Sequence, residues 1–221
     1  MSAKINLALA CKFIFVISLA LAAGCVGPAE KTANQPDQPH FTEIEVKGVY
    51  THKPTSMEFP TQLAGFKRGK ILEYDSSGKN ISVEYTLSSL GFKIADATVY
   101  IYPVKTGPES KPVSLEKHYD ELRALLFNIY TDARDLEDKQ ITIDQPTGQK
   151  NGLMFRFVHQ PPELFNSLCY AKLYLFQYGP WFIKYRLTNP VKNDIEVDLA
   201  FKEFMNRLTW PTPAQDSNQT D

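Results

Sequence analysis

Apolar and polar residues alternate along several stretches of the chain, and a period of two is typical of half-buried strands. Residues 70–75 and 81–87 flank the turn-forming sequence Ser76–Asn80, which predicts a hairpin. Further strands are predicted at Ala97–Tyr102, Lys139–Asp144, Leu153–Phe157, Cys169–Tyr178 and Trp181–Leu187. The last two flank the turn dipeptide Gly179-Pro180 and therefore form a second predicted hairpin.

A helical period of 3.6 residues appears in two places. Ser114 is a suitable N-cap for a helix over residues 115–134, and a second helix is predicted to begin at Asp194 and to end before Pro211. The apolar stripes are Leu115, Tyr119, Leu122, Leu126, Ile129 and Ala133 on the first helix, and Val197, Phe201, Phe204, Met205 and Leu208 on the second. Both stripes predict that the helices pack against the sheet.

The order of elements is strands, helix, strands and helix, and hairpins dominate it. This order predicts an α+β fold, a mainly antiparallel sheet with about two helices packed against it. It resembles the PsbP-like α+β fold. The sequences Phe59-Pro60, Gly65–Arg68, Tyr178–Pro190 and Phe204–Pro211 also resemble segments of uncharacterised bacterial envelope proteins, over most of residues 55–211. These motifs are structural, and the resemblance implies no catalytic residue.

The first 25 residues have the layout of a secretion signal. Two lysines precede an apolar run from Phe13 to Ala23, which is too short to span a bilayer. The alternative is a membrane anchor helix, but the run stops at Gly24-Cys25 and polar residues follow. We therefore expect a signal peptide over residues 1–24, cleaved between Gly24 and Cys25.

The sequence Leu21–Cys25 resembles the lipobox of bacterial lipoproteins, in which the cysteine is acylated and becomes the new N-terminus. Leu21 lies one position earlier than the leucine of that pattern, and Ala22 takes its place. The resemblance implies a lipid on Cys25, and Val26 after it implies the outer membrane, facing the periplasm. Residues 25–44 and 211–221 are polar, so we expect a disordered tether and a disordered tail around one domain over 45–210.

Composition and charge narrow the function. The 221 residues are 43% hydrophobic and 22% charged, which is typical of a globular protein. The 24 Lys and Arg residues balance 25 Asp and Glu residues, whereas non-specific nucleic-acid binding needs a basic surface. The sequence has no Cys-x-x-Cys, no His-x-x-x-His and no glycine-rich phosphate loop, so we expect no metal, no cofactor and no nucleic-acid partner.

The residues that best suit catalysis are dispersed. Cys169 and His159 are joined by a short loop that can bring a thiol and an imidazole together. The alternative is that Cys169 is a buried core thiol, since free cysteine is among the most buried residue types. Four acidic residues within 132–138 form a patch after the first helix, which suits a cation or is a solvated helix end.

The second predicted hairpin mixes aromatic and basic residues. One of its faces is interpreted as apolar, and the other combines rings with Lys172, Lys184 and Arg186. Together with Tyr174 these residues form a predicted interaction surface for a protein, a glycan or lipid headgroups. The alternative is that the last helix covers this face, or that its tyrosines are ordinary strand residues.

These features lead to one main hypothesis and two rivals. The main hypothesis is a non-catalytic, lipid-anchored domain that faces the periplasm and acts as a binding or assembly accessory, with an envelope protein as its partner. The first rival is an envelope hydrolase or transferase with dispersed site residues. The second is a carrier of a small apolar ligand between sheet and helix.

Overall fold

The computed structural model describes residues 41–107, 111–160 and 167–210. A 3-10 turn, Val191–Asn193, directly precedes the last helix. The other elements, in chain order, are β1 (Thr42–Glu43), β2 (Tyr50–His52), β3 (Met57–Phe59), β4 (Gln62–Leu63), β5 (Phe66–Glu73), β6 (Ile81–Ser89), β7 (Phe92–Pro103), α1 (Leu115–Ile129), β8 (Arg134–Gln145), β9 (Gly148–His159), β10 (Cys169–Tyr178), β11 (Trp181–Pro190) and α2 (Asp194–Arg207).

One large antiparallel sheet organises these elements. Its strand order is β1-β5-β6-β7-β11-β10-β9-β8, with β4 paired to β5, and β2 and β3 form a separate hairpin. Both predicted hairpins are present, as β5–β6 and as β10–β11. The predicted α+β class, with a mainly antiparallel sheet and two helices, is confirmed.

Several boundaries differ from the sequence predictions. The first helix ends at Ile129 instead of residue 134, because the chain enters β8 at Arg134. β8 is longer than the predicted Lys139–Asp144 because it pairs along the whole of β9. The sheet already includes Thr42, ahead of the boundary expected at residue 45. The predicted signal peptide, Cys25, most of the tether and the tail lie outside the described residues.

The last helix, α2, covers one face of the sheet. Its Phe201 and Phe204 contact Phe66, and Phe204 also lies 4.8 Å from the Tyr85 ring. Trp210, which follows the helix, is fully buried and donates a hydrogen bond to the Tyr185 hydroxyl at 2.9 Å. The β2–β3 hairpin joins the same core.

The first helix, α1, covers part of the opposite face. Its Tyr119, Leu122 and Leu126 pack in one apolar cluster with residues of β9, β10 and β11, including Phe155 and Phe182. Farther along this face the pairing of β6, β7 and β11 brings polar residues side by side: Ser82, Thr98, Tyr100, Lys184 and Arg186. The sheet therefore carries a polar strip beside α1. None of the helices among the described residues is both long and apolar enough to cross a membrane.

Candidate functional site

The four residues of the predicted interaction surface do not share a face. Lys172 lies opposite Leu187, and Tyr174 lies opposite Tyr185, so both point to the face that α2 covers. Because side chains alternate along a strand, Lys184 and Arg186 point to the other face. The prediction of one surface is therefore wrong, and the hairpin contributes basic residues to both sides of the sheet.

Lys172 belongs to an ion-pair network beneath the start of α2. It is only 3% exposed, and its ammonium donates to Asp194 at 2.6 Å and to Asp198. Arg156 on the neighbouring strand also pairs with Asp194, at 3.3 Å. A buried cation with two carboxylate partners is satisfied by them, so this network holds α2 on the sheet and offers no free charge to a partner. Tyr174, 8% exposed, is part of the apolar core.

Lys184 has a different environment on the other face. It is 5% exposed, and its ammonium lies 4.0 Å from the centre of the Tyr100 ring and 5.6 Å from that of Tyr102. These contacts are cation–π interactions, which partly replace the water that burial removes. Within the part of the chain that the structure describes, no carboxylate forms an ion pair with Lys184 and no oxygen accepts a hydrogen bond from it.

Arg186 lies two positions along the same strand and the same face. Its guanidinium donates to the Tyr130 hydroxyl at 3.0 Å, and it also shares a hydrogen bond with Tyr100. We call Tyr100, Tyr102, Tyr130, Lys184 and Arg186 the tyrosine–cation cluster. Strands β7 and β11 place four of its members, and the end of α1 supplies Tyr130.

Burial and like charge both act on Lys184. Desolvation is the larger cause, repulsion from Arg186 and Lys105 adds to it, and together they lower the pKa of Lys184 from 10.5 to about 7. Burial raises the pKa of both Tyr100 and Tyr102, so these hydroxyls stay protonated. The cluster thus concentrates positive charge in a region of low polarity, an arrangement that favours a bound anion.

His118 of α1 closes the cluster on one side. Its Nε2 is 2.9 Å from the Tyr102 hydroxyl, and its ring stacks on Phe182 at 4.5 Å. Burial, and then repulsion from Lys184, lowers the pKa of His118 to about 4. The imidazole is therefore neutral at physiological pH, and it acts as a hydrogen-bonding wall.

Cys169 and His159 are brought together as direct partners on β10 and β9. Cys169 is fully buried, and burial raises its pKa to about 11, while its Sγ donates to the carbonyl of Ser167 at 3.3 Å. Burial lowers the pKa of His159. A nucleophilic pair needs a thiolate stabilised by an imidazolium, whereas this environment favours the neutral form of both groups.

Three residues of the acidic patch, Asp135, Glu137 and Asp138, lie on strand β8 and pair with cations, whereas Asp132 lies in the turn before it and accepts a hydrogen bond from the Gln160 N–H at 2.8 Å. Arg123 contacts both Asp135 and Asp138, and Lys139 pairs with Glu137 at 2.6 Å. Asp138 also accepts a hydrogen bond from the Tyr119 hydroxyl at 2.7 Å. Across residues 41–107, 111–160 and 167–210, no group of three or more metal-ligating side chains is placed to hold an ion.

No protein-family model and no curated protein matches the chain. Two solved structures have partly similar backbones. A protein of unknown function from Pseudomonas aeruginosa is 13% identical, with 67% of this chain and 99% of that one covered at a TM-score of 0.44. The Ran-binding protein Mog1p of Saccharomyces cerevisiae is 13% identical, with coverage of 75% and 85% and a TM-score of 0.33. At these scores neither structure identifies the function of this chain.

The sequence pattern predicts a role for Lys184 and Arg186 but does not indicate the tyrosines that surround them. Tyr100 and Tyr102 alternate along a strand that was predicted, so their shared face was readable. The strand that pairs with β7 could not be predicted from the sequence, because the pairing of β7 with β11 joins distant parts of the chain. Tyr130 belongs to the end of α1, which the sequence extended as helix past that point.

Proposed function

We propose that this protein is a non-catalytic, lipid-anchored domain that faces the periplasm from the outer membrane of a bacterium. In this proposal Cys25 carries the lipid and the tyrosine–cation cluster binds an envelope partner. The observation that carries the binding role is Lys184, a buried cation without a carboxylate partner among the described residues. Burial of a cation without a carboxylate partner costs free energy of folding, and an anionic ligand would offset that cost.

The chemistry of the other candidates supports a non-catalytic role. Cys169 and His159 are adjacent, but the pKa of the thiol is raised to about 11, which opposes nucleophilic attack near neutral pH. Three of the four carboxylates of the acidic patch pair with Arg123 or Lys139. No specific observation favours a hydrolase or transferase over a binding domain.

The anchor is tested by fractionation of cells that express the full chain. Cys25→Ala is expected to move the protein from the membrane to the soluble envelope fraction, because the acyl chains supply the membrane affinity. Cys11→Ala is the matched control, since Cys11 precedes the expected cleavage site and its loss leaves the lipid in place. A Cys25→Ala protein that stays in the membrane contradicts the anchor.

The binding role is tested by crosslinking in living cells followed by purification of the full chain. We expect one abundant envelope adduct, reduced at least tenfold by Arg186→Gln, because the guanidinium is the more accessible cation of the cluster. The control is Lys192→Gln, an exposed lysine beside α2. An adduct that is equally abundant in both variants contradicts binding through the cluster.

A further inference from the structure

Lys184 is a buried lysine, 5% exposed, whose recorded contacts are with aromatic rings. A lysine ammonium has three N–H donors and no acceptor. In residues 41–107, 111–160 and 167–210 none of these donors has an oxygen partner, and the charge rests on two tyrosine rings. By contrast, the equally buried Lys172 on the opposite face has two carboxylates. The same hairpin thus holds one satisfied and one unsatisfied buried lysine.

The neighbours of Lys184 add positive charge. Arg186 and Lys105 both repel it, and Lys105 is exposed at the end of the strand that carries Tyr100 and Tyr102. Arg186 is fixed by the hydroxyls of Tyr130 and Tyr100, so its guanidinium is oriented before any ligand arrives. Fixed donors that need no rearrangement are the requirement for a strong anion site.

We propose that the tyrosine–cation cluster binds a single oxyanion group, in which Lys184 and Arg186 donate to the anionic oxygens and Lys105 adds charge at the entrance. This inference rests on the proposed binding role of the cluster and names the chemistry of its ligand. A carboxylate and a tetrahedral phosphate-type group share this chemistry, and the experiment below separates them. Burial raises the pKa of Tyr100 and Tyr102, so their hydroxyls stay protonated and add no negative charge that would repel an anion.

The proposal makes anion binding depend on pH, since only the protonated Lys184 is a cation. The titratable and charged groups around the cluster come from each neighbouring element: Tyr74 after β5, Glu84 on β6, Tyr100 and Tyr102 on β7, Lys105 after β7, Arg186 on β11, His118 and Glu121 on α1, and Tyr130 at the end of α1. His118 is neutral above its pKa of about 4. Burial raises the pKa of Glu84. A Lys184 variant keeps Glu84, so the pH dependence of anion binding in that variant is subtracted from the pH dependence in the wild type.

The test is a calorimetric titration of the purified full chain in detergent micelles with sodium sulfate and, separately, sodium acetate. Both anions keep their charge between about pH 6 and about pH 8.5, so only the protein titrates. We expect at least one of them to bind roughly thirtyfold more tightly at the lower pH, which is the change in the protonated fraction of a group with a pKa of about 7. Sulfate binding indicates a phosphate-type ligand, and acetate binding indicates a carboxylate.

Two variants complete the test. Lys184→Met is expected to weaken the same anion at least tenfold at the lower pH, and Lys192→Met is expected to leave its affinity unchanged. Equal affinity at both pH values in the unmodified protein, or no detectable binding of either anion, overturns the inference without reference to how a variant folds. If calorimetry detects anion binding but crosslinking in cells captures no partner, only the proposed envelope role is contradicted. If crosslinking captures a partner but calorimetry detects no anion binding, only this inference is contradicted.

Discussion

Replacement of Lys184 by methionine changes how the stability of the fold depends on pH. The pKa of Lys184 is lowered from 10.5 in the unfolded chain to about 7 in the folded one. Between these values the unfolded chain binds more protons than the folded chain, so the free energy of unfolding rises with pH. Methionine has a similar length and no charge, and it removes this contribution.

The size of the effect follows from the two pKa values. Each unit of difference is worth about 1.4 kcal/mol, and from about pH 7 to about pH 9 the wild-type protein gains about 2 kcal/mol through Lys184. The cation–π contact with Tyr100 at 4.0 Å favours the charged form and offsets up to roughly 1 kcal/mol of this gain. The expected extra gain of the wild type over Lys184→Met is therefore between about 1 and 2 kcal/mol.

Urea unfolding at the two pH values measures this difference. The chain has two tryptophans, and the buried Trp210 reports loss of the core by fluorescence. Lys192→Met, which removes an exposed lysine, is the control and should keep the wild-type dependence on pH. If the free energy of unfolding of Lys184→Met rises as much as that of the wild type between the two pH values, Lys184 is not a desolvated cation in the folded protein.

Three further predictions concern other parts of the fold. Gly152→Ala should lower the free energy of unfolding, measured by urea titration, by about 1–3 kcal/mol, since the added Cβ would lie 2.7 Å from the Leu175 carbonyl oxygen. Gly69→Ala is the control, because its added Cβ would make only ordinary van der Waals contacts. Leu90→Asn should raise that free energy by roughly 0.5–1 kcal/mol, because Leu90 is 95% exposed in a two-residue turn with φ of +50°; a loss of stability would argue against strain there. Cys169 should react with a thiol reagent at least about a hundredfold more slowly in buffer at about pH 8 than in urea, and fast labelling of the native protein would favour the enzyme hypothesis.

The periodic parts of the chain were predictable because each pattern is local. The stripe on α1 and the alternation in β6 and β10 depend on residues within one element, and both hairpins follow from their turns. The first part of the domain was not predictable in this way. Phe59 is fully buried although β3, with three residues, is too short to show a period, and Phe66 is fully buried at the start of β5, along which burial does not alternate.

The error about the interaction surface has a definite cause. The turn at Gly179-Pro180 pairs Tyr178 with Trp181, and counting outward from that pair places Lys172 opposite Leu187. This count places Lys172 and Lys184 on opposite faces of the hairpin, so the register could be predicted from the sequence. The sequence does not show which helix covers which face of the sheet. This arrangement places two carboxylates beside Lys172 and tyrosine rings beside Lys184.

Site-specific photo-crosslinking in living cells shows whether the tyrosine–cation cluster is the binding site. A photoreactive residue at Lys105 samples the entrance of the cluster, and the same residue at Lys192 samples an exposed position beside α2. We expect an adduct from position 105 that is absent from position 192 and is lost when Lys184→Met is combined with the probe. An adduct that forms equally from both positions, or that survives Lys184→Met unchanged, would contradict binding at the cluster.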